Sequence, residues 1–377
     1  MKRIVICCDG TWNSPDKSRQ TNVAKLHKAV AAVAADGVKQ VPWYDPGVGN
    51  EGSIIDRLRG AAFGDGLAKN VRDAYAAIAA NYQPGDQLYL FGFSRGAYTA
   101  RSTLGMVRKC GVLRPDLLKD KLPEAWAFYK NGLHPRKSRE AQDFRRDNSV
   151  RVAEPNQAED DFIPRAKLIG VWDTVGSLGV PIGRFQKKYQ FHDVALTSWV
   201  ENGFQALAID ERRQDYAPTL WEQNPKPEPG FQQRMEQVWF AGVHSDVGGG
   251  AAAEGRDDQS DRALRWIIDR ARETGLEFDQ ALLDSTVSKR DDGDLHLDPG
   301  PLFRLISVVR PPITRKIGVG VPADRSEYGG NAPSFESVDP AVLKRQDTGR
   351  YDAPNVAAFW DANPAAKAEA RRQYPAP

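Results

Sequence analysis

The sequence predicts an α/β protein with a mostly parallel central sheet and helices on both faces. Continuous apolar runs at residues 3–8, 87–93 and 167–172 are typical of strands that are buried on both faces. Segments with helical spacing of apolar residues separate these runs, as in βαβ units. In addition, 41% apolar and 27% charged residues are typical of a globular chain.

The strand–helix alternation is clearest in the first 110 residues. The predicted elements are a strand at 3–8, a helix at 21–35, a strand at 38–44, a helix at 69–82, a strand at 87–93 and a helix at 95–109. Thr21-Asn22 supplies a helix cap and Asp36-Gly37 a stop, whereas Pro42 weakens the second strand.

The remaining chain alternates less regularly. A polar segment at about 114–164 is predicted to be an insertion before the sheet resumes at 167–172, and a mixed helix and loop segment at 181–235 is predicted to be a second. We expect both insertions to form a lid. A strand at 236–243, a helix at 260–275 and an irregular C-terminal wrap from about 276 complete a single domain over 1–377.

The charge balance and the N-terminus limit the possible partners and location. Lys plus Arg is 52 against 50 for Asp plus Glu, so no global field recruits nucleic acid. The apolar run after Met1-Lys2-Arg3 stops at Asp9, too short for a Sec signal peptide, and no stretch of about 18 apolar residues predicts a transmembrane helix. We therefore expect a cytoplasmic chain as synthesised, with Cys7, Cys8 and Cys110 reduced and buried.

The segment Gly92-Phe93-Ser94-Arg95-Gly96 matches the Gly-x-Ser-x-Gly pattern at the end of the strongest strand and the start of a helix. In that context a strained turn exposes the serine hydroxyl, and the helix start places N–H groups and positive dipole where an oxyanion would form. The context predicts that Ser94 is a nucleophile.

A serine nucleophile needs a base and a carboxylate that orients it. Asp173 ends the next core strand and His244 the one after, which gives the chain order Ser94, Asp173, His244 of the α/β-hydrolases. Two other carboxylates compete for the acid role, Asp246 and, as the reserve, Asp210. The other histidines lie in an early helix, an insertion or loops, at positions 27, 134, 192 and 296.

The oxyanion hole is predicted to take one N–H from Arg95 and a second from Thr11 or Gly10, in the loop after the first strand. Whether Asp9 binds a cation stays open. The pattern Gly47-Val48-Gly49-Asn50-Glu51-Gly52 does not open a βαβ unit and is not expected to bind phosphate. The basic cluster at 135–146 is predicted to be a solvated face, with contact to anionic lipid as the alternative.

Several longer motifs resemble the α/β-hydrolase domain of the first class of type VI secretion lipase effectors, which also occurs in stand-alone bacterial proteins. The resemblance covers roughly residues 3–275, with a weaker match from Ser337-Val338 to Asn355. Its motifs are Asp9-Gly10-Thr11-Trp12-Asn13, Thr21-Asn22-Val23, Tyr44-Asp45-Pro46-Gly47-Val48-Gly49, Gly92-Phe93-Ser94-Arg95-Gly96-Ala97-Tyr98, Gly170-Val171-Trp172-Asp173-Thr174-Val175-Gly176, Ala206-Leu207-Ala208-Ile209-Asp210-Glu211-Arg212-Arg213 and Trp239-Phe240-Ala241-Gly242-Val243-His244-Ser245-Asp246-Val247-Gly248-Gly249-Gly250.

The resemblance implies a Ser-Asp-His esterase for lipid acyl esters, with phospholipases among its relatives, and it carries over to Ser94, Asp173 and His244. It implies no cofactor, a lipid or small-molecule ester as substrate, peripheral contact with membrane lipid as an option, and export by a contractile secretion apparatus as another. One departure is Ala251-Ala252-Ala253, where relatives often have an aromatic residue and a proline, so the pocket rim is expected to differ. A carboxylesterase, an acyltransferase and a non-catalytic binding module remain alternatives, and the oligomeric state is left open.

Overall fold

The fold is described from a computed structural model of the chain. It describes residues 1–10, 19–47, 61–131, 138–152, 162–175, 195–196, 199–225, 231–250, 259–297, 311–323, 326, 330, 332–349 and 351–374. Within this part, seven strands form one sheet in the order β2-β1-β3-β4-β6-β8-β9, and every neighbouring pair is parallel. A separate pair, β5 and β7, is also parallel.

The strands are β1 Lys2–Cys8, β2 Lys39–Asp45, β3 Gln87–Phe93, β4 Ala166–Trp172, β5 Ala195–Leu196, β6 Val200–Ala208, β7 Glu222–Gln223, β8 Arg234–Phe240 and β9 Glu336–Val338. The helices are α1 Asn22–Ala29, α2 Ala61–Asn81, α3 Arg95–Cys110, α4 Leu118–Tyr129, α5 Arg139–Asn148, α6 His244–Gly248, α7 Ser260–Glu273, α8 Gln280–Thr286, α9 Pro340–Asp347, α10 Pro354–Ala362 and α11 Pro364–Gln373.

Helices cover both faces of the sheet, because alternate strand residues point to opposite sides. In β1, Ile4, Ile6 and Cys8 belong to the core that includes α2 and α3, whereas Val5 and Cys7 belong to the core that includes α1 and α7. The predicted class, an α/β protein with a mostly parallel sheet, is therefore confirmed. The three cysteines are free thiols and buried, as expected.

The second predicted insertion, 181–235, is wrong at its centre. Residues 200–208 form β6, a strand inside the sheet between β4 and β8. Sequence reasoning missed it because Asn202, Gly203 and Gln205 interrupt the apolar run that marks a buried parallel strand. Most of the segment before β6, residues 176–194, lies outside the described residues.

A pair of buried amides explains how β6 tolerates a polar residue. Gln205 and Gln237 lie directly opposite each other on β6 and β8, and Gln205 Nε2 donates to Gln237 Oε1 at 3.0 Å. Thr174 Oγ1 donates to Gln205 Oε1 at 2.7 Å, and Gln237 also pairs with the backbone of Trp221. Each amide is fully buried, and its hydrogen bonds offset the cost of removing it from water.

The C-terminal region also has more regular structure than the sequence predicts. Beyond residue 276 the chain adds α8, which packs into the core of α1 and α7. It also adds the edge strand β9 and α9 to α11, which enclose a third apolar cluster against Leu207 and Trp239. Helix α9 starts with Asp339 as N-cap and Pro340 in the first turn, a start signal that the prediction overlooked. Helix α1 ends at Ala29 rather than Ala35, since Val30 turns to extended backbone and pairs with Phe278.

Candidate active site

The turn between β3 and α3 holds Ser94 in a conformation that non-glycine residues rarely adopt. Its φ is 57° and its ψ −117°, and its N–H donates to Trp172 O at 3.0 Å. Such backbone strain occurs mainly where the surrounding structure enforces it, often at functional sites. Ser94 is thereby presented between the end of a strand and the positive end of a helix.

Two glycines permit this turn. A Cβ on Gly92 would lie 2.4 Å from Gly96 O, and a Cβ on Gly96 would lie 2.0 Å from the backbone oxygen of Cys8. Helix α3 therefore starts in direct backbone contact with the end of β1. The Gly-x-Ser-x-Gly spacing has a steric cause in this fold, because neither glycine position has room for a side chain.

Asp173 and His244 meet at the same edge of the sheet. Asp173 follows β4, has a positive φ of 40° and is fully buried. His244 follows β8 at the start of α6, and its Nδ1 lies 2.6 Å from Asp173 Oδ2. The carboxylate orients the imidazole so that its Nε2 is the nitrogen left to exchange a proton.

The ring of His244 is fixed from two sides by aromatic residues. The Phe93 ring lies 4.6 Å from it, and the Tyr216 ring meets it edge-on at 4.8 Å. Phe93 directly precedes Ser94, so this contact brings the histidine to the serine turn. Among the described residues, however, no hydrogen bond joins Ser94 Oγ to His244.

Arg315 is a residue of this site that sequence reasoning missed. It comes from the segment 311–323, yet its Nη1 lies 2.6 Å from Asp173 Oδ1 and its Nη2 lies 3.1 Å from Asp173 Oδ2. Burial disfavours a charged Asp173, but Arg315 and His244 outweigh it and hold the pKa of this carboxyl well below its ordinary value. Asp173 is therefore ionised in the folded protein at neutral pH.

Charged groups also surround the backbone of His244. Its N–H donates to Glu211 Oε2 at 3.3 Å, and Arg213 forms an ion pair with Glu211 and lies 3.5 Å from the centre of the Tyr216 ring. Burial opposes the ionisation of Glu211, but Arg213 holds its pKa below the ordinary value. Burial lowers the pKa of the Arg95 guanidinium to about 10, opposed in part by Tyr216.

Of the residues predicted for the oxyanion hole, one has its N–H at a helix start, one has its N–H engaged by a carboxylate, and one lies outside the described residues. Arg95 is the first residue of α3, so its N–H lies at the helix N-terminus beside Ser94. The Gly10 N–H donates to Asp9 Oδ1 at 2.6 Å, so it is engaged in this structure. Thr11 lies outside the described residues. Asp9 also accepts from Thr21 and Tyr44.

The two other carboxylates considered for the acid role form hydrogen bonds with groups outside the Asp173–His244 pair. Asp210 Oδ2 accepts from the Gly242 N–H and from the Tyr351 hydroxyl, and burial raises the pKa of Asp210. Asp246 accepts from His296, with 2.6 Å between Nδ1 and Oδ1. None of these bonds involves Asp173 or His244.

The remaining predicted features are only partly within the described residues. His27 is half-buried beside Tyr44, whereas His134 and His192 lie outside. So do residues 48–52 of the glycine pattern, Ala251-Ala252-Ala253 and, in the basic cluster, Arg136 and Lys137. Within that cluster the solvated-face prediction is wrong for Arg145, which is fully buried and donates to Lys109 O at 2.9 Å. The cause is that α5 packs this side of its helix against α3.

None of the helices in the described ranges combines the length and the apolar character that a membrane span requires. Likewise, no group of three His, Cys, Asp or Glu side chains within these ranges is arranged to hold a metal ion.

Comparison with known proteins gives one family and several distant relatives. Residues 2–270 match the family described as "T6SS, Phospholipase effector Tle1-like, catalytic domain". "Uncharacterized protein YEL023C" of Saccharomyces cerevisiae (strain ATCC 204508 / S288c) is 27% identical over an alignment of 232 residues, and the match covers 56% of this chain and 31% of the yeast protein. The match thus spans about a third of the length of that relative.

Two solved structures are similar at low identity. An uncharacterized protein from Pseudomonas aeruginosa is 16% identical with a TM-score of 0.43, covering 99% of this chain and 62% of that one. The Tle1 effector bound to the VgrG spike from the type 6 secretion system is 14% identical with a TM-score of 0.42, covering 77% and 76%. Because the family match extends over well more than half of the chain, the chain belongs to the family of Tle1-like catalytic domains.

Proposed function

We propose that the protein is a serine hydrolase of lipid acyl esters, phospholipids included, on an α/β-hydrolase fold. The observation that carries this proposal is the strained Ser94 turn at the same sheet edge as the 2.6 Å bond between Asp173 and His244. The order of the three residues along the chain is the one found in that fold. The family supports a lipid substrate.

In the proposed mechanism, Ser94 Oγ attacks the acyl carbonyl while His244 Nε2 takes its proton as general base. Asp173 keeps the proton on His244 Nδ1 and stabilises the imidazolium that forms. The protonated His244 then gives its proton to the leaving alcohol oxygen, and water releases the acyl group by the same route. The hydrogen bond between Ser94 and His244 is expected to form when substrate binds, since such contacts are often loose in the free enzyme.

The negative charge that develops on the carbonyl oxygen needs N–H donors. We assign one to Arg95 at the start of α3. The second is Thr11 or Gly10, and Gly10 can serve only if its N–H leaves the Asp9 carboxylate.

The experiment compares the wild type with Ser94→Ala on a soluble nitrophenyl ester and on phospholipid vesicles, together with fluorophosphonate labelling. Ser102→Ala is the matched control, because Ser102 is a second buried serine on α3, away from the turn. We expect labelling and turnover in the wild type and in Ser102→Ala, and neither in Ser94→Ala. If only the soluble ester is hydrolysed, the protein is a carboxylesterase and not a phospholipase. Labelling that persists in Ser94→Ala would refute the assignment of the nucleophile.

A further inference from the structure

The Arg315 side chain reaches the acid of the candidate triad from a distant part of the sequence. Besides its two contacts with Asp173, Nη1 donates to Ala208 O at 2.7 Å and Nη2 to Tyr216 O at 2.5 Å. The side chains of Arg315 and Asp173 are 1% and 0% exposed, so their attraction is poorly screened by water. Arg315 lies beyond residue 270, where the family match ends.

We propose that Arg315 is a positioning residue, which holds the Asp173 carboxylate in register with His244 and balances the charge that this carboxylate presents to the imidazole. Its catalytic consequence rests on the proposed Ser94–His244–Asp173 function. Its effect on the Asp173–His244 pair is independent of that function, because the contact between the two side chains is present in the structure.

The guanidinium is not needed to attach its own segment. Ile313 N donates to Arg212 O at 2.9 Å, and Asn355 Nδ2 donates to Arg315 O at 3.0 Å. These bonds involve backbone atoms of the segment on both sides of the side chain. A substitution of Arg315 should therefore leave the segment in place and change what Asp173 experiences.

The charge argument depends on which groups face the Asp173–His244 pair. Among the described residues of the other elements packed against it, these are Glu211, Arg213, Tyr216 and the uncharged ring of Phe93. Arg95 lies beyond them, next to Tyr216. Glu211 and Arg213 form an ion pair with each other, with 2.6 Å between Nη2 and Oε2. Within the described ranges, Arg315 is the guanidinium in direct contact with the Asp173 carboxylate.

A buried carboxylate that faces only an imidazole stabilises the protonated imidazolium. The imidazolium therefore keeps its proton to higher pH. A cation on the other side of the carboxylate makes that form less favourable. With Arg315 in place, the pair should thus release its proton at lower pH, and His244 should be available as a base over a wider range.

Charge and geometry can be separated by two substitutions. Arg315→Lys keeps the positive charge but loses the planar two-point contact. Arg315→Met keeps much of the volume and loses both. Arg262→Met is the matched control, because Arg262 also contacts both oxygens of a buried carboxylate, that of Asp339, through Nε at 3.2 Å and Nη2 at 2.8 Å, away from the triad.

The first readout is NMR of the imidazole signals of His244 in the full chain across pH, assigned by their loss in His244→Asn. In Arg315→Met the midpoint at which the Asp173–His244 pair takes up its proton should rise by about one pH unit or more, equivalent to roughly a tenfold change in the proton equilibrium. Arg315→Lys should stay close to the wild type, and so should Arg262→Met. This readout does not require a substrate.

The second readout is the pH profile of kcat/KM on the nitrophenyl ester. We expect its acidic limb to move up in Arg315→Met and kcat to fall at least about tenfold with little change in KM, as for an interaction made in the transition state. An unchanged NMR midpoint in a folded Arg315→Met protein would overturn the proposal. Absence of Ser94 labelling in the wild type would instead overturn the proposed function and leave the NMR result to decide on Arg315.

Discussion

Replacing Asp173 by asparagine is the sharpest test of the acid, with Asp210→Asn as its matched control. Asp173 Oδ1 accepts from Ala208 N at 3.0 Å and from Arg315, and Oδ2 accepts from His244 and again from Arg315. Asparagine supplies one acceptor oxygen and one donor group in this space. Only two of the four contacts can therefore be kept.

The orientation of the amide follows from those contacts. With its oxygen toward Ala208 N, the amide keeps that bond and one bond from Arg315, and its NH2 faces His244 Nδ1. The histidine must then accept a hydrogen bond on Nδ1 and carry its proton on Nε2. Because Nε2 is already protonated, it can no longer take the proton of Ser94. The opposite orientation places the NH2 against two donors and is less favourable.

In Asp210→Asn both hydrogen bonds survive, because the Gly242 N–H and the Tyr351 hydroxyl donate to the same oxygen, Oδ2. We expect Asp173→Asn to lower kcat by about 10⁴-fold, the scale known for a wrong tautomer in serine triads. It should also lower the free energy of unfolding by about 3–5 kcal/mol, because the charge of Arg315 stays buried without its partner.

The assays are ester hydrolysis at neutral pH and urea unfolding of the same preparations. Asp210→Asn should stay within about tenfold of the wild-type rate, since its contacts are kept. A large loss in Asp210→Asn, together with near wild-type activity in Asp173→Asn, would show that the reserve carboxylate is the acid.

Two further predictions concern stability. Gly96→Ala should lower the free energy of unfolding by about 3 kcal/mol or more, because the new Cβ would meet the backbone of Cys8 at 2.0 Å. Gly105→Ala on the same helix should change it by no more than about 1 kcal/mol, since its closest contact is the hydroxyl at the far end of the Tyr129 side chain and alanine favours the helix; equal losses in urea unfolding would contradict this reasoning. Since the folded state holds the pKa of Asp173 below its ordinary value, its stabilisation is complete above about pH 4 and is lost as the pH falls toward the folded value. The stability difference between wild type and Asp173→Asn should hence narrow as the pH falls below about 4, and a difference that widens in acid would be incompatible with this sign.

The sequence was most informative where a polar residue directly follows an apolar strand. Ser94, Asp173 and His244 each have that position, and parallel strands bring such residues to one edge. The structure places the second and third in contact and the first beside them.

The sequence was least informative where a contact depends on distant segments. Arg315 is 142 residues from Asp173, and its neighbours, Pro311 to Ile317, show no helical or strand period that would fix its direction. Strand β6 was missed for another reason. Gln205 breaks its apolar run, and the sequence does not show that this glutamine is buried and paired with Gln237 on the neighbouring strand. The helix start at Asp339-Pro340 was, by contrast, visible and overlooked.

The buried pair Gln205–Gln237 limits how β8 can slide along β6. A slip by two residues would leave every side chain on its original face, so the apolar pattern alone permits it. It would break the hydrogen bond between the two amides and move the end of β8 by about 6.6 Å. His244 follows that end, and its bond to Asp173 spans 2.6 Å. The hydrogen bond between two amides on neighbouring strands thus helps to fix the distance between the acid and the base at the ends of the strands.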